Sequence, residues 1–140
     1  MRTSSAGLTP ANFQALAAYR LALRRFLHFS TEAARAAGMS QQQYQALLAI
    51  KAASGPVLLT IGELAELMHV RHHSAVGLMD RLVRRGWLRR VADKQDGRRV
   101  HVRLTSAGEK ILAKLAAVHR DELRRLGPEL VRSLQSLGVG

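Results

Sequence analysis

The residues of this 140-residue chain that could do chemistry are six histidines, ten carboxylates, a few hydroxyls and an unusual number of cations. His72 and His73 are adjacent, and neighbours on a helix point about 100° apart, so the pair cannot readily chelate one ion. His69 and His73 have the i,i+4 spacing that can, but a turn is expected between them and no acidic ligand is near. The ligand set is incomplete, and no metal site is assigned. Ser74 has no paired base with an orienting acid, and no glycine-rich phosphate loop is present. The carboxylates are scattered, which argues against paired acid/base catalysis. There is no cysteine, which removes disulfides, thiolate metal sites, cysteine nucleophiles and thiol redox switches. No catalytic residue and no cofactor is implied.

The cations are the informative set. Lys and Arg number 22 against 10 Asp and Glu, a formal net charge of +12. An excess of this size points to a polyanionic partner, nucleic acid before a membrane surface. Apolar residues make up 47% of the chain, enough to build a core, so this is not a disordered basic tail. Two stretches concentrate the charge. Arg71, His72, His73, Ser74, Gly77 and Arg81 lie together, followed by Arg84 and Arg85. Arg89, Arg90, Lys94, Asp96, Arg98, Arg99 and Arg103 form the second group.

The elements that must position these groups follow from periodicity. Thr9 caps a helix beginning at Pro10, where a missing N–H costs nothing. It has no breaker before Gly38 and spans about 40 Å. Its apolar residues wrap more than one face, so a second chain is expected to cover part of it. Ser40 and Gln43 form a capping box for a second helix that ends at Ser54-Gly55-Pro56. Val57-Leu58-Leu59 reads as a minimal strand. Thr60 and Glu63 open a third helix. A turn through His69-Val70-Arg71 leads to a fourth, about His72 to Arg85, with Arg71 as a poor N-cap. Gly77 in this helix costs about 1 kcal/mol relative to Ala; close approach to DNA or close packing would each account for it.

After Gly86 the period becomes two. Trp87–Ala92 and Arg98–Leu104 form a hairpin, with Val100, Val102 and Leu104 on a packed face and Arg99, His101 and Arg103 on a solvated one. Thr105 caps a fifth helix to about Leu126, Gly127-Pro128 breaks the chain, and a last short helix follows. His28, His101 and His119 read as surface or interface histidines.

The fold class expected is mostly α with a small β-hairpin: a winged helix-turn-helix over residues 39–105, with residues 1–38 and 106–140 as a helical dimerisation region. A helix fits the major groove, and a basic hairpin tip reaches the adjacent minor groove or its phosphates. Arg71 reads as a phosphate contact and Ser74 as a base or phosphate partner. For Arg81, Arg84 and Arg85 a merely solvated cationic face is an equal alternative.

Asp96-Gly97-Arg98-Arg99 through Leu104-Thr105, with Gly108, resembles the D-x-R…L-T-x-x-G signature of the MarR family of bacterial transcriptional regulators. Met39–Leu48 is similar to that family's second-helix opening, Ile61–Val70 to its L-A-x-x-L helix, and Met79–Leu88 to its recognition helix running into the wing. The resemblance implies an obligate homodimer with interdigitating first, fifth and sixth helices. It also implies double-stranded DNA as partner, bound at a palindromic operator and usually repressed. Release by a small aromatic or anionic effector is implied as well, entering a pocket for which Tyr19, His28 and Tyr44 are candidate lining residues, although core packing explains each of them too. Arg98 would enter the minor groove with Asp96 holding its guanidinium; the alternative is that Asp96-Gly97 only makes the turn. The missing cysteine excludes the thiol-based peroxide sensing of some family members. A basic architectural DNA-binding protein and a winged-helix protein-interaction module are the rival functions. No apolar run reaches membrane-spanning length, and a soluble, cytoplasmic protein is expected.

Overall fold

The computed structural model describes residues 4–53, 55 and 58–140. Its elements are α1 (Pro10–Ala36), α2 (Gln41–Ala52), α3 (Ile61–Met68), α4 (His72–Arg84), β1 (Leu88–Ala92), β2 (Val100–Leu104) and α5 (Ser106–Ser136). The start of α1 is held by reciprocal bonds: Thr9 Oγ1 accepts from the Asn12 N–H at 3.2 Å, and Asn12 Oδ1 accepts from the Thr9 N–H at 2.9 Å. Ser40 and Gln43 make the expected capping box on α2, and Thr60 and Glu63 make the one on α3. Gly38 follows α1 at φ +82, a left-handed backbone that lets the chain reverse into α2. Ser54, Pro56 and Val57, which were expected to end α2 and start a strand, lie outside the described residues.

The chain divides into two compact units. One comprises Met1–Glu32 with Ala117–Gly140, the other Ala33–Ala116. The middle unit is the winged helix. Its core contains Leu47, Leu64, Leu78, Met79, Leu82, Leu88 and Val102, all essentially without exposed surface. Ala34 from the end of α1 and Leu112 and Leu115 from the start of α5 belong to the same core. The end of α1 and the start of α5 thus contribute to the winged-helix core.

β1 and β2 pair antiparallel, with Leu88 opposite Leu104 and Ala92 opposite Val100. β2 also uses its other edge. The Val102 N–H donates to the Leu59 carbonyl at 3.1 Å, and Thr60 makes a bridge to His101. That edge contact fastens the hairpin to the segment entering α3.

The junction between β2 and α5 is tight. Thr105 Oγ1 donates to the Gly86 carbonyl at 2.5 Å and accepts from the Gly108 N–H at 3.0 Å. A Cβ on Gly108 would overlap the Trp87 carbonyl oxygen and lie 3.0 Å from its carbon, so only glycine permits this approach.

One expectation is overturned. α5 does not break at Gly127-Pro128; it runs unbroken to Ser136 with Pro128 inside it. Its buried positions keep helical spacing across the proline, through Leu112, Leu115, His119, Leu126 and Ser133. An interior proline costs about 3 kcal/mol, yet the helix continues one turn and more beyond it, with Ser133 buried there.

The second unit is apolar outside as well as inside. With Leu48 and Leu67 excepted, every exposed large hydrophobic residue described belongs to it: Leu8, Phe13, Leu16, Leu21, Leu27, Val118, Leu123, Val131 and Val139. His119, expected at the surface or an interface, is buried here, with Nε2 2.8 Å from Ser30 Oγ and the rings of Phe26 and Phe29 set edgewise to it.

Because Gly108 has no room for a methyl group, Gly108→Ala is expected to destabilise the protein by about 1–3 kcal/mol. Chemical denaturation checks this, and an unchanged midpoint would show that the β1–α5 contact is looser than described.

Candidate nucleic-acid interface

α4 is amphipathic. Ala75, Leu78, Met79 and Leu82 face the core, while His72, His73, Ser74, Arg81, Arg84 and Arg85 are exposed and Gly77 is half-buried. Arg71 is the N-cap, with extended backbone (φ −69, ψ 152) and no side-chain capping bond. The first-turn N–H groups of α4 therefore lack a side-chain acceptor and present the positive end of the helix dipole outward. The preceding turn is set by His69, which closes α3 in the left-handed region at φ 54, a conformation that histidine adopts more readily than most non-glycine residues. A cavity of about 250 Å³ opens among Thr60, Ile61, Gly62, His72, Arg98, Arg99 and Val100. The fold thus brings the start of α4, the start of α3 and the cationic hairpin to one place.

The hairpin tip is ordered by carboxylates. Asp93 Oδ1 accepts from the backbone N–H groups of Gln95 at 2.8 Å and Asp96 at 3.0 Å. Asp96 Oδ1 accepts from the Arg98 N–H at 3.0 Å. Two successive side-chain turns of this kind fix the loop. Asp96 therefore serves the Arg98 backbone, and the two side chains make no ion pair among the described residues. The Arg98 guanidinium is exposed and makes no hydrogen bond there either. Lys94, Arg99, Arg89 and Arg103 are also exposed, the last two opposite each other across the strands.

His101 departs from expectation. It is half-buried and bonded at both ring nitrogens, with Nδ1 2.9 Å from the Leu58 carbonyl and Nε2 2.8 Å from Asp93 Oδ2. Both partners are acceptors, so the doubly protonated ring satisfies both at once. The bond to Asp93 raises the His101 pKa above 6.5; burial and Arg99 oppose this and the Leu58 carbonyl assists it. The bond from His101, followed by the N–H groups of Gln95 and Asp96, lowers Asp93 to about 2.

Three other cations have partners: Arg84 Nε donates to the Asp80 carbonyl at 3.4 Å. Arg90 forms an ion pair with Asp80 of α4, tying β1 to that helix. Arg85 lies 4.2 Å from the centre of the Trp87 ring. Gly77 has nothing within 4 Å of where a Cβ would stand, so close packing does not account for it. Of the expected ligand-lining residues, Tyr44 is in the winged-helix core, where burial raises its hydroxyl pKa. Tyr19 is half-buried and His28 exposed, both on α1. Among the described residues no cluster of three or more His, Asp or Glu could hold a metal.

Sequence reasoning missed Asp93, His101, Asp80 and the wall formed by Thr60, Ile61 and Gly62. The hairpin register brings Asp93 and His101 together. The Thr60 wall depends on the edge pairing of β2, for which no local sequence signal exists.

Residues 37–99 match the MarR family model. A cysteine-to-serine variant of MarR from E. coli is 25% identical, with a TM-score of 0.70 over 84% of this chain and 88% of that one. The same variant complexed with operator DNA gives 25% identity and a TM-score of 0.69, over 84% and 86%. MepR from Staphylococcus aureus, a transcription regulator of the multidrug efflux pump MepA, is 18% identical with a TM-score of 0.72, over 85% and 95%. A search of curated protein sequences finds no match.

The His101–Asp93 pair predicts a pH window. A raised histidine pKa contributes stability that is full below 6.5 and is lost as pH rises through the folded value; a lowered aspartate pKa contributes above 3.8 and loses it as pH falls towards about 2. The stability gap between the protein and its His101→Gln variant should therefore be widest between those two reference values and narrow on either side. Denaturation at a series of pH values measures it, and a pH-independent gap would refute the pairing.

The described fold is thus a winged helix-turn-helix whose residues 37–99 match the MarR family model and which is similar to the solved structures of MarR.

Proposed function

We propose that this protein is a homodimeric, sequence-specific DNA-binding transcription regulator, acting as a repressor. The observation that carries the reading is the unpaired Arg98 guanidinium, held out from a carboxylate-ordered wing beside the start of α4. α4 would lie in the major groove, with His72, His73, Ser74, Gly77 and Arg81 towards the bases and Arg71 on a phosphate. The wing would place Arg98 in the minor groove, with Arg89, Lys94, Arg99 and Arg103 on phosphates. Arg90, paired with Asp80, would contact DNA only after leaving that partner or while sharing it.

The exposed apolar residues of the outer unit support self-association through residues 1–38 and 106–140, since patches of this kind mark interaction surfaces. A two-fold dimer would recognise a palindromic operator. Relatives complexed with operator DNA or an oligodeoxyribonucleotide support the choice of partner. Release by a small aromatic or anionic effector, and a cytoplasmic location, belong to the same proposal; among the described residues no helix is long and apolar enough to cross a membrane. The reading is of a binding protein and not of an enzyme. A melting shift with aromatic acids tests the effector part.

Gel shifts on the DNA upstream of its own gene should show a salt-sensitive, sequence-selective complex. If each protomer neutralises about four to six phosphates, the log–log salt slope of a dimer is about −7 to −11. Arg98→Ala should weaken the complex by about 1–3 kcal/mol. Equal affinity for a scrambled duplex would favour a basic architectural protein instead, and full affinity in the variant would remove the wing from the interface.

A further inference from the structure

Gly77 is on the outward face of α4, three residues from Ser74 and four from both His73 and Arg81, all exposed. Residues at these spacings are neighbours on a helix surface; with half-buried Asp80, three residues further on and paired with Arg90, four side chains stand around a bare backbone. Nothing inside the chain requires glycine there. Gly77 is not among the glycines with left-handed backbone, and a Cβ would meet no atom within 4 Å. Alanine would fit and would favour the helix. The fold gives no reason for glycine at 77, so the reason is sought in what α4 touches.

On the reading of α4 as the helix that enters the major groove, the chemistry of the notch selects its occupant. The Gly77 N–H and carbonyl lie in the hydrogen-bonded interior of α4, so the notch offers only apolar Cα–H surface. Among base edges in the major groove, the projecting apolar group is the thymine 5-methyl. We propose that Gly77 is a specificity-determining position, an open notch bordered by His73, Ser74, Asp80 and Arg81 that seats a thymine methyl group of the operator.

The test is selection of duplexes from a randomised pool by the full-length protein and by Gly77→Ala, followed by thymine-to-uracil replacement in the selected site. The wild-type protein should enrich thymine at one position per half-site and lose about fourfold in affinity when that base becomes uracil, the effect of one methyl group. Gly77→Ala should melt about 2–5 °C higher, bind the thymine duplex about tenfold more weakly and no longer distinguish uracil from thymine. A folded variant with the same enrichment and the same response to uracil overturns the notch while leaving the regulator reading intact. No enrichment by the wild-type protein overturns both.

Discussion

The edge of β2 is the constraint on which the rest of the site depends. The bond from the Val102 N–H to the Leu59 carbonyl, the Thr60–His101 bridge and the bond of the His101 ring to the Leu58 carbonyl all join the wing to the segment that leads into α3. Without that seam the hairpin would be a two-stranded ribbon, marginal by itself in water. With it, Arg98 and Arg99 are held beside the starts of α3 and α4. The arrangement works against like-charge repulsion, and Glu63 and Asp93 soften it. The N–H and hydroxyl of Thr60 lower the Glu63 pKa, with smaller help from Arg99 and His101, so Glu63 stays ionised close to the cations.

Polar groups in this region are used economically. Asp93 orders the tip through one oxygen and holds His101 through the other. Thr60 caps α3 and pairs with β2. These interactions consume the acidic and hydroxyl groups of the wing and leave its arginines exposed. Such a division suits a surface whose partner is a polyanion, because a cation already paired within its own chain must break that pair before it can neutralise a phosphate.

Much of this was legible from local signals. The capping boxes at Ser40 and Thr60 follow from spacing alone, as does the uncapped Arg71. The alternation from Arg98 to Leu104 marked the hairpin. What was illegible depended on distant partners. His101 reads as solvated by alternation, because its burial comes from Leu58, 43 residues away. Asp96 offered two roles at equal spacing, and hydrogen-bond geometry placed it on the Arg98 backbone. Pro128 is the clearest failure of a local rule. As a breaker it should have ended α5, but the helix runs on to Ser136 with Leu126 buried before the proline and Ser133 after it. The open space over Gly77 had no trace in sequence, since a glycine that packs closely and one that faces a void are written alike.

Thr105 links three elements. Its hydroxyl bridges the end of the α4 turn at Gly86 to the first turn of α5 at Gly108, while its N–H bonds the Trp87 carbonyl and Gly108 presses against that same carbonyl. The result is a stiff bearing with little play. Trp87, the root of β1, the last turn of α4 and the first turn of α5 thus share one junction, which fixes where the wing leaves the helices.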